Sequence, residues 1–101
     1  MADVVVVFWR DIPAQVIVRS GRKCERRQLS DRFQEAIDMA AMRGGAAGTD
    51  AYLDEWRRAA AEPCGDDLAA EADRIAGTFE AAFDKPRLKN LADNGGWARP
   101  N

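Results

Sequence analysis

The stretch VVVVFW, residues Val4 to Trp9, decides the fold of this 101-residue chain. Its β-branched and aromatic side chains favour a strand, and the lack of polar alternation is typical of a strand at the centre of a sheet or covered on both faces. Asp11-Ile12-Pro13 ends the strand, because proline has no N–H to donate to a β-ladder. We therefore expect the rest of the domain to pack around residues 4–9.

Two segments that follow are candidate partners for this strand. Gln15–Arg19 is predicted to be a second strand, and Ser20-Gly21 is a turn signal. Lys23–Leu29 is a candidate third strand, whose cations suit the exposed edge of a sheet. The N-terminal third is therefore expected to form a small antiparallel sheet of two or three strands.

Helical periodicity replaces the strand pattern after residue 30. Ser30 or Asp31 is predicted to cap a first helix that ends at Gly44-Gly45. Thr49 is predicted to cap a second helix that Pro63 stops. The apolar face assigned to this second helix consists of Tyr52, Leu53, Trp56, Ala59 and Ala60.

The last part of the chain predicts two more helices and a tail. Asp66 or Asp67 starts a third helix, and a short fourth helix runs from near Pro86 to about Asp93. Strands followed by three to four helices indicate an α+β domain with the helices packed on the sheet. We expect one domain over residues 1–93 and a flexible tail over residues 94–101.

Composition and charge restrict the class of protein. The apolar fraction of 47% is ordinary for a folded domain. The longest apolar run is far below the roughly 20 residues that a bilayer span needs, and no signal-peptide pattern surrounds it. With two cysteines expected to be reduced, we predict a cytoplasmic protein that does not enter the membrane. Residues 1–32 carry a net positive charge and residues 33–101 a net negative one, an asymmetry that can orient docking.

The residues that commonly carry chemistry are scarce. The chain has no histidine, which removes the commonest general base and the commonest transition-metal ligand. Cys24 and Cys64 alone cannot form a tetrahedral zinc site. No glycine-rich phosphate loop follows the first strand. We therefore expect no metal, no cofactor and no catalytic site.

Cys24 carries the alternative hypothesis of a small thiol-dependent redox protein. Nearby cations stabilise a thiolate, and Arg22, Lys23, Arg26 and Arg27 flank this cysteine. No base or resolving thiol stands beside it in the sequence. Cys64, between Pro63 and Gly65, is interpreted as a linker residue without a chemical role.

The leading hypothesis is a non-catalytic domain that binds a protein partner or forms a homodimer. Nucleic-acid binding through the basic hairpin ranks third, because no aromatic residue between Arg10 and Arg32 offers a stacking platform. Trp97 is either a plug that packs back on the domain or an anchor for a partner. The residues predicted to bind the partner are Arg10, Arg19, Arg22, Lys23, Arg26, Arg27 and Trp97.

One motif resembles a known family. Residues 9–16 read WRDIPAQV. Gly21-Arg22 and then Leu29–Asp38 follow further along the chain. This pattern resembles the bacterial virulence factor domain proteins over roughly residues 3 to 90. The family name implies no reaction, and the resemblance supplies no catalytic residues. Members also occur beside folate- or corrinoid-linked methyl-transfer enzymes, which implies an accessory subunit.

Overall fold

The fold of residues 1–98 is described by a computed structural model. Its strands are β1 (Ala2–Trp9), β2 (Ile12–Ser20), β3 (Lys23–Gln28), β4 (Trp56–Arg58) and β5 (Glu62–Cys64). Its helices are α1 (Asp31–Arg43), α2 (Thr49–Asp54), α3 (Leu68–Ala82) and α4 (Lys85–Asp93). The predicted α+β fold, with an N-terminal antiparallel sheet followed by helices, is confirmed.

The VVVVFW stretch lies at the centre of the sheet, as its composition predicts. β1 pairs with β2 along one side, and with β4 and β5 along the other. β3 pairs with β2 and forms the far edge. The candidate third strand is therefore a strand, at the edge position that its cations indicate.

Three helices bury one face of this sheet or pack beside it. Val4 is paired with Val18 and Val6 with Val16, so these four side chains share that face. α3 packs on β2 and β3, and Phe79 of α3 meets the ring of Phe8 at 6.3 Å. α1 packs on β2 and α4. The largest fully buried side chains are Trp9, Phe33, Ile12, Ile37, Val16 and Val18.

The predicted extent of the second helix is wrong. α2 ends at Asp54, and the segment expected to continue the helix to Pro63 forms β4 and β5 instead. A helix there would leave one side of β1 without backbone partners, and buried N–H and C=O groups need them. β4, β5 and the Ala59 N–H, which donates to the Val6 carbonyl at 2.9 Å, supply those partners.

The predicted cap of α2 is one residue off, because Gly48 is the N-cap and Thr49 is the first residue of the helix. Three other helix boundaries follow their local signals. Gly44 caps the C-terminus of α1 through its N–H to the Ala40 carbonyl. Asp67 caps α3 by accepting a hydrogen bond from the Ala70 N–H at 3.2 Å. Asp84 caps α4 in the same way, with Pro86 in the first turn. These three predictions are confirmed to within a residue or two.

Candidate functional site

Among the described residues 1–98, one face of the sheet has no helix packed on it. We call it the open face, and it is formed by alternate residues of β1, β2 and β3: Asp3, Val5, Val7, Ile17, Arg19 and Arg26. Val5 and Ile17 are 4% exposed, yet neither belongs to the core cluster to which the helices contribute. We attribute this low exposure to the stems of the long side chains around them. The open face thus has a small apolar centre that is shielded from solvent and lies outside the helical core.

Cations dominate the rim of the open face. Arg19 forms an ion pair with Asp3 at 3.0 Å and is half exposed. Within residues 1–98, neither Arg26 nor Arg58, which is paired with Val7 in the sheet, has an ion-pair partner. The same holds for Arg22 and Lys23 in and beside the β2–β3 turn. The structure therefore brings five of the chain's cations to this face and its turn.

Arg27 belongs to the opposite side of the sheet. Its guanidinium donates to Asp73 of α3 at 2.6 Å and to Glu25 at 3.0 Å. These hydrogen bonds raise the pKa of Arg27 above its usual value, and the bond to Asp73 has the larger effect. Arg27 therefore links β3 to α3. Its side chain lies on the side of the sheet opposite to Arg19 and Arg26.

Arg10 lies at the other end of the sheet, in the β1–β2 turn. Its φ of 53° is in the left-handed region, and its side chain is 10% exposed. The guanidinium carbon lies 4.9 Å from the Trp9 ring and 5.1 Å from the Trp97 ring, between the two. Nη1 donates to the Gly95 carbonyl at 2.7 Å, and Nε forms an ion pair with Glu55 at 3.3 Å without hydrogen-bond alignment.

Residues 94–98 fold back onto this turn. The Asp11 N–H donates to the Gly96 carbonyl at 2.9 Å, and the Ala98 N–H donates to the Asp11 carboxylate at 2.7 Å. Gly96 has a φ of 95°, and a side chain there would meet the Trp9 ring at 3.0 Å. Trp97 is half-buried against Arg10. The flexibility predicted for residues 94–101 stays a prediction, and residues 99–101 lie outside the described part of the chain.

The predicted partner-binding residues therefore do not form one surface. Arg10 and Trp97 lie beside the β1–β2 turn, whereas Arg22 and Lys23 lie at the β2–β3 turn. The nine residues of β2 separate the two turns by about 30 Å. The apolar run of β1 predicts apolar residues on both faces of this strand, but locating Ile17 and Arg58 beside Val5 and Val7 requires the strand register.

The two cysteines are too far apart to form an intramolecular disulfide. Cys24 is exposed on edge strand β3, opposite Arg19 on the open face. Cys64 is on β5, and β2 and β1 lie between the two strands. Three strand spacings amount to about 14 Å, well beyond the reach of a disulfide. Cys24 therefore has cations beside it but no resolving thiol within this chain.

Cys64 is expected to be the less reactive thiol. Burial raises its pKa, and the negative charges of Glu71 and Asp3 raise it further. In a Cys24→Ser variant, the alkylation rate of Cys64 by iodoacetamide should therefore rise with a midpoint above the ordinary thiol pKa of about 8.5. Glu71→Gln, which keeps an oxygen for the Gly65 N–H, should lower the midpoint. A midpoint at or below the ordinary value would contradict this assignment.

The helical side of the domain has a groove between α1 and α4. Ala36 and Met39 of α1 and Leu88 and Ala92 of α4 line a groove of about 300 Å³, and Met39 and Met42 are exposed nearby. Across residues 1–98, no group of three or more cysteine, aspartate or glutamate side chains is placed to hold a metal ion. Over the same residues, no helix is long and apolar enough to cross a membrane.

Comparison with known proteins identifies the family. The profile of the family described as "Virulence factor" matches residues 7–92. No curated protein and no solved structure gives a significant match. The matched range begins inside β1 and ends one residue before the end of α4, so it contains the WRD segment of the β1–β2 turn, the β2–β3 hairpin, α1 to α3 and most of α4. The chain therefore belongs to the virulence factor family.

Proposed function

We propose that this chain is a non-catalytic accessory domain that binds a protein partner through the open face of its sheet. The observation that carries the proposal is the apolar centre of Val5, Val7 and Ile17, which lies outside the core cluster of residues 1–98 and beside Arg26 and Arg58, cations without an ion-pair partner in that range. An apolar centre with a polar rim is the usual anatomy of a protein interface. The cations make an acidic protein surface the complementary partner.

The rest of the molecule supports a binding role for this face in particular. Arg10 and Trp97, the other predicted anchors, already contact each other. Arg27 is already engaged by α3. Arg22, Lys23 and Arg26 have exposed side chains that no ion pair within residues 1–98 restrains. The family resemblance adds a more specific proposal, that the partner is an enzyme of folate- or corrinoid-linked methyl transfer.

The test is affinity capture with two charge-reversed variants. The double variant Arg19→Glu/Arg26→Glu reverses two cations of the open face, and we expect its capture of the partner to fall at least about tenfold, since like charges now face each other. The matched control is Lys85→Glu/Lys89→Glu on α4, which changes the net charge by the same amount on the helical side. The control should capture the partner as the unmodified protein does.

Three results decide against the proposal. Equal losses in the two double variants would show that net charge acts, not the open face. Retention of RNA or DNA with a steep salt dependence would favour nucleic-acid binding. Loss of capture on Cys24→Ser, with the charge variants unaffected, would favour the thiol hypothesis.

A further inference from the structure

The outer edge of β3 has an unpaired backbone. A two-residue turn, Gly21-Arg22, joins β2 to β3, and in such a hairpin the residues flanking the turn form a hydrogen-bonded pair. Pairing then alternates, so Lys23, Glu25 and Arg27 point their backbone groups at β2. Cys24, Arg26 and Gln28 point theirs outward. Within residues 1–98, no backbone group of another element bonds to this outer edge.

A side-chain contact agrees with this assignment. The Arg26 carbonyl accepts a hydrogen bond from Nη1 of Arg27 at 2.9 Å, a bond that a carbonyl paired with β2 would not be free to make. The remaining outward groups are the N–H groups of Cys24, Arg26 and Gln28 and the carbonyls of Cys24 and Gln28. An unpaired edge of this kind is a template for one further strand.

The charges beside this edge differ between its two sides. On the open face, Arg26 lies on the edge itself, with the exposed Arg22 at the turn, whereas Lys23 alternates to the helical side. On the helical side, a depression of about 470 Å³ lies between the start of β3 and the N-terminus of α3. The residues that line it include Lys23, Glu25, Asp66, Asp67 and Leu68. A strand added here would meet the cation Arg26 on one side, and on the other an apolar side chain among three carboxylates and one lysine.

We infer that β3 binds an extended acidic segment of the partner as an additional strand of the sheet, an inference that rests on the proposed function. Acidic residues at every second position would face Arg26 and the basic turn, and apolar residues between them would face Leu68. Backbone hydrogen bonds would supply affinity and the alternating side chains selectivity. A second copy of β3 does not suit this edge, because its cations would stand against Lys23, Arg26 and Arg27.

The probe is a capped peptide of alternating glutamate and valine, matched in length to the six residues of β3. At saturating peptide, NMR-detected hydrogen exchange should slow at least about tenfold at the Cys24, Arg26 and Gln28 amides, because these become hydrogen-bonded. The inward amides of Glu25 and Arg27 should change little. A peptide N-methylated at alternate residues and a lysine–valine peptide should give no protection.

Three results would overturn the inference. The first is binding of the N-methylated peptide as tight as that of its parent. The second is no protection of the outward amides at saturating peptide. The third is protection without peptide that grows with protein concentration, which would mean that β3 pairs with itself.

Gln28→Pro separates this inference from the proposed function. The change removes one outward N–H from an edge position and leaves the charge unchanged. We expect it to weaken capture of the partner, while hydrogen exchange of the Glu25 and Arg27 amides verifies that the hairpin remains folded. Capture that depends on Arg19 and Arg26 but is the same for Gln28→Pro would refute strand addition and leave binding by the open face intact.

Discussion

Trp9→Ala lowers the free energy of unfolding by about 3–5 kcal/mol, the range for deleting a large aromatic side chain from a core. Trp9 is fully buried, and its ring packs against Tyr52 at 5.7 Å. Its indole N–H donates to the Tyr52 carbonyl at 2.9 Å, so the variant leaves that carbonyl with only the longer bond from the Glu55 N–H at 3.4 Å. Alanine removes all of these contacts at the point where β1, α2 and the C-terminal segment meet.

Urea denaturation measures this loss, provided that the unfolding free energy falls with urea concentration at the same slope in the variant and the unmodified protein. Trp9→Phe is the graded control, because it keeps most of the apolar volume and loses only the hydrogen bond and the second ring, for about 1–2 kcal/mol. A loss below about 1 kcal/mol for Trp9→Ala would show that the ring is not the centre of the core described above.

Arg10→Ala is expected to destabilise the protein by about 2–4 kcal/mol and to release residues 94–98. The variant removes a charged hydrogen bond to the Gly95 carbonyl, an ion pair to Glu55 and the cation between two tryptophan rings. Charge-assisted hydrogen bonds contribute about 1.5–3 kcal/mol and partly buried cation–π contacts about 1–2 kcal/mol. The release would appear as fast hydrogen exchange of the Asp11 and Ala98 amides while β1 remains protected.

Arg57→Ala is the matched control for Arg10→Ala. Arg57 also contacts this turn, through the Arg10 carbonyl at 3.1 Å and the Asp11 carboxylate at 3.3 Å. Its side chain is half exposed, so we expect a loss below about 1 kcal/mol. Equal effects of the two variants would contradict the role given to the Arg10 side chain.

Local patterns were sufficient for the elements whose ends carry their own signals. The β-branched run from Val4 predicted the central strand, and Asp67 and Pro86 predicted the starts of α3 and α4. Residues 55–64 were not predictable in this way, because Trp56, Ala59 and Ala60 recur at helical spacing. Their strand state comes from the unpaired side of β1, which no local pattern reveals.

The candidate site, like the fold, was predictable from local sequence only in part. Cation density between Arg19 and Arg27 correctly indicated a charged hairpin, but sequence cannot tell which side of β3 each cation occupies. Strand alternation sends Arg26 to the open face and Arg27 to α3. Arg10 is among the residues predicted to bind a partner, yet its side chain is only 10% exposed. Its buried position depends on Trp97 and Gly95, which are more than eighty residues away in the chain.

Site-directed photocrosslinking tests binding by the open face most directly. A benzophenone maleimide on Cys24, in a Cys64→Ser variant, places the reactive group on that face beside Arg19. The control carries it on the helical side, through Lys89→Cys in a variant without the native cysteines. Binding by the open face predicts a saturable crosslink to one protein from Cys24 alone, competed by the unmodified chain and not by Arg19→Glu/Arg26→Glu. Crosslinks equal from both positions, or to nucleic acid only, would contradict it.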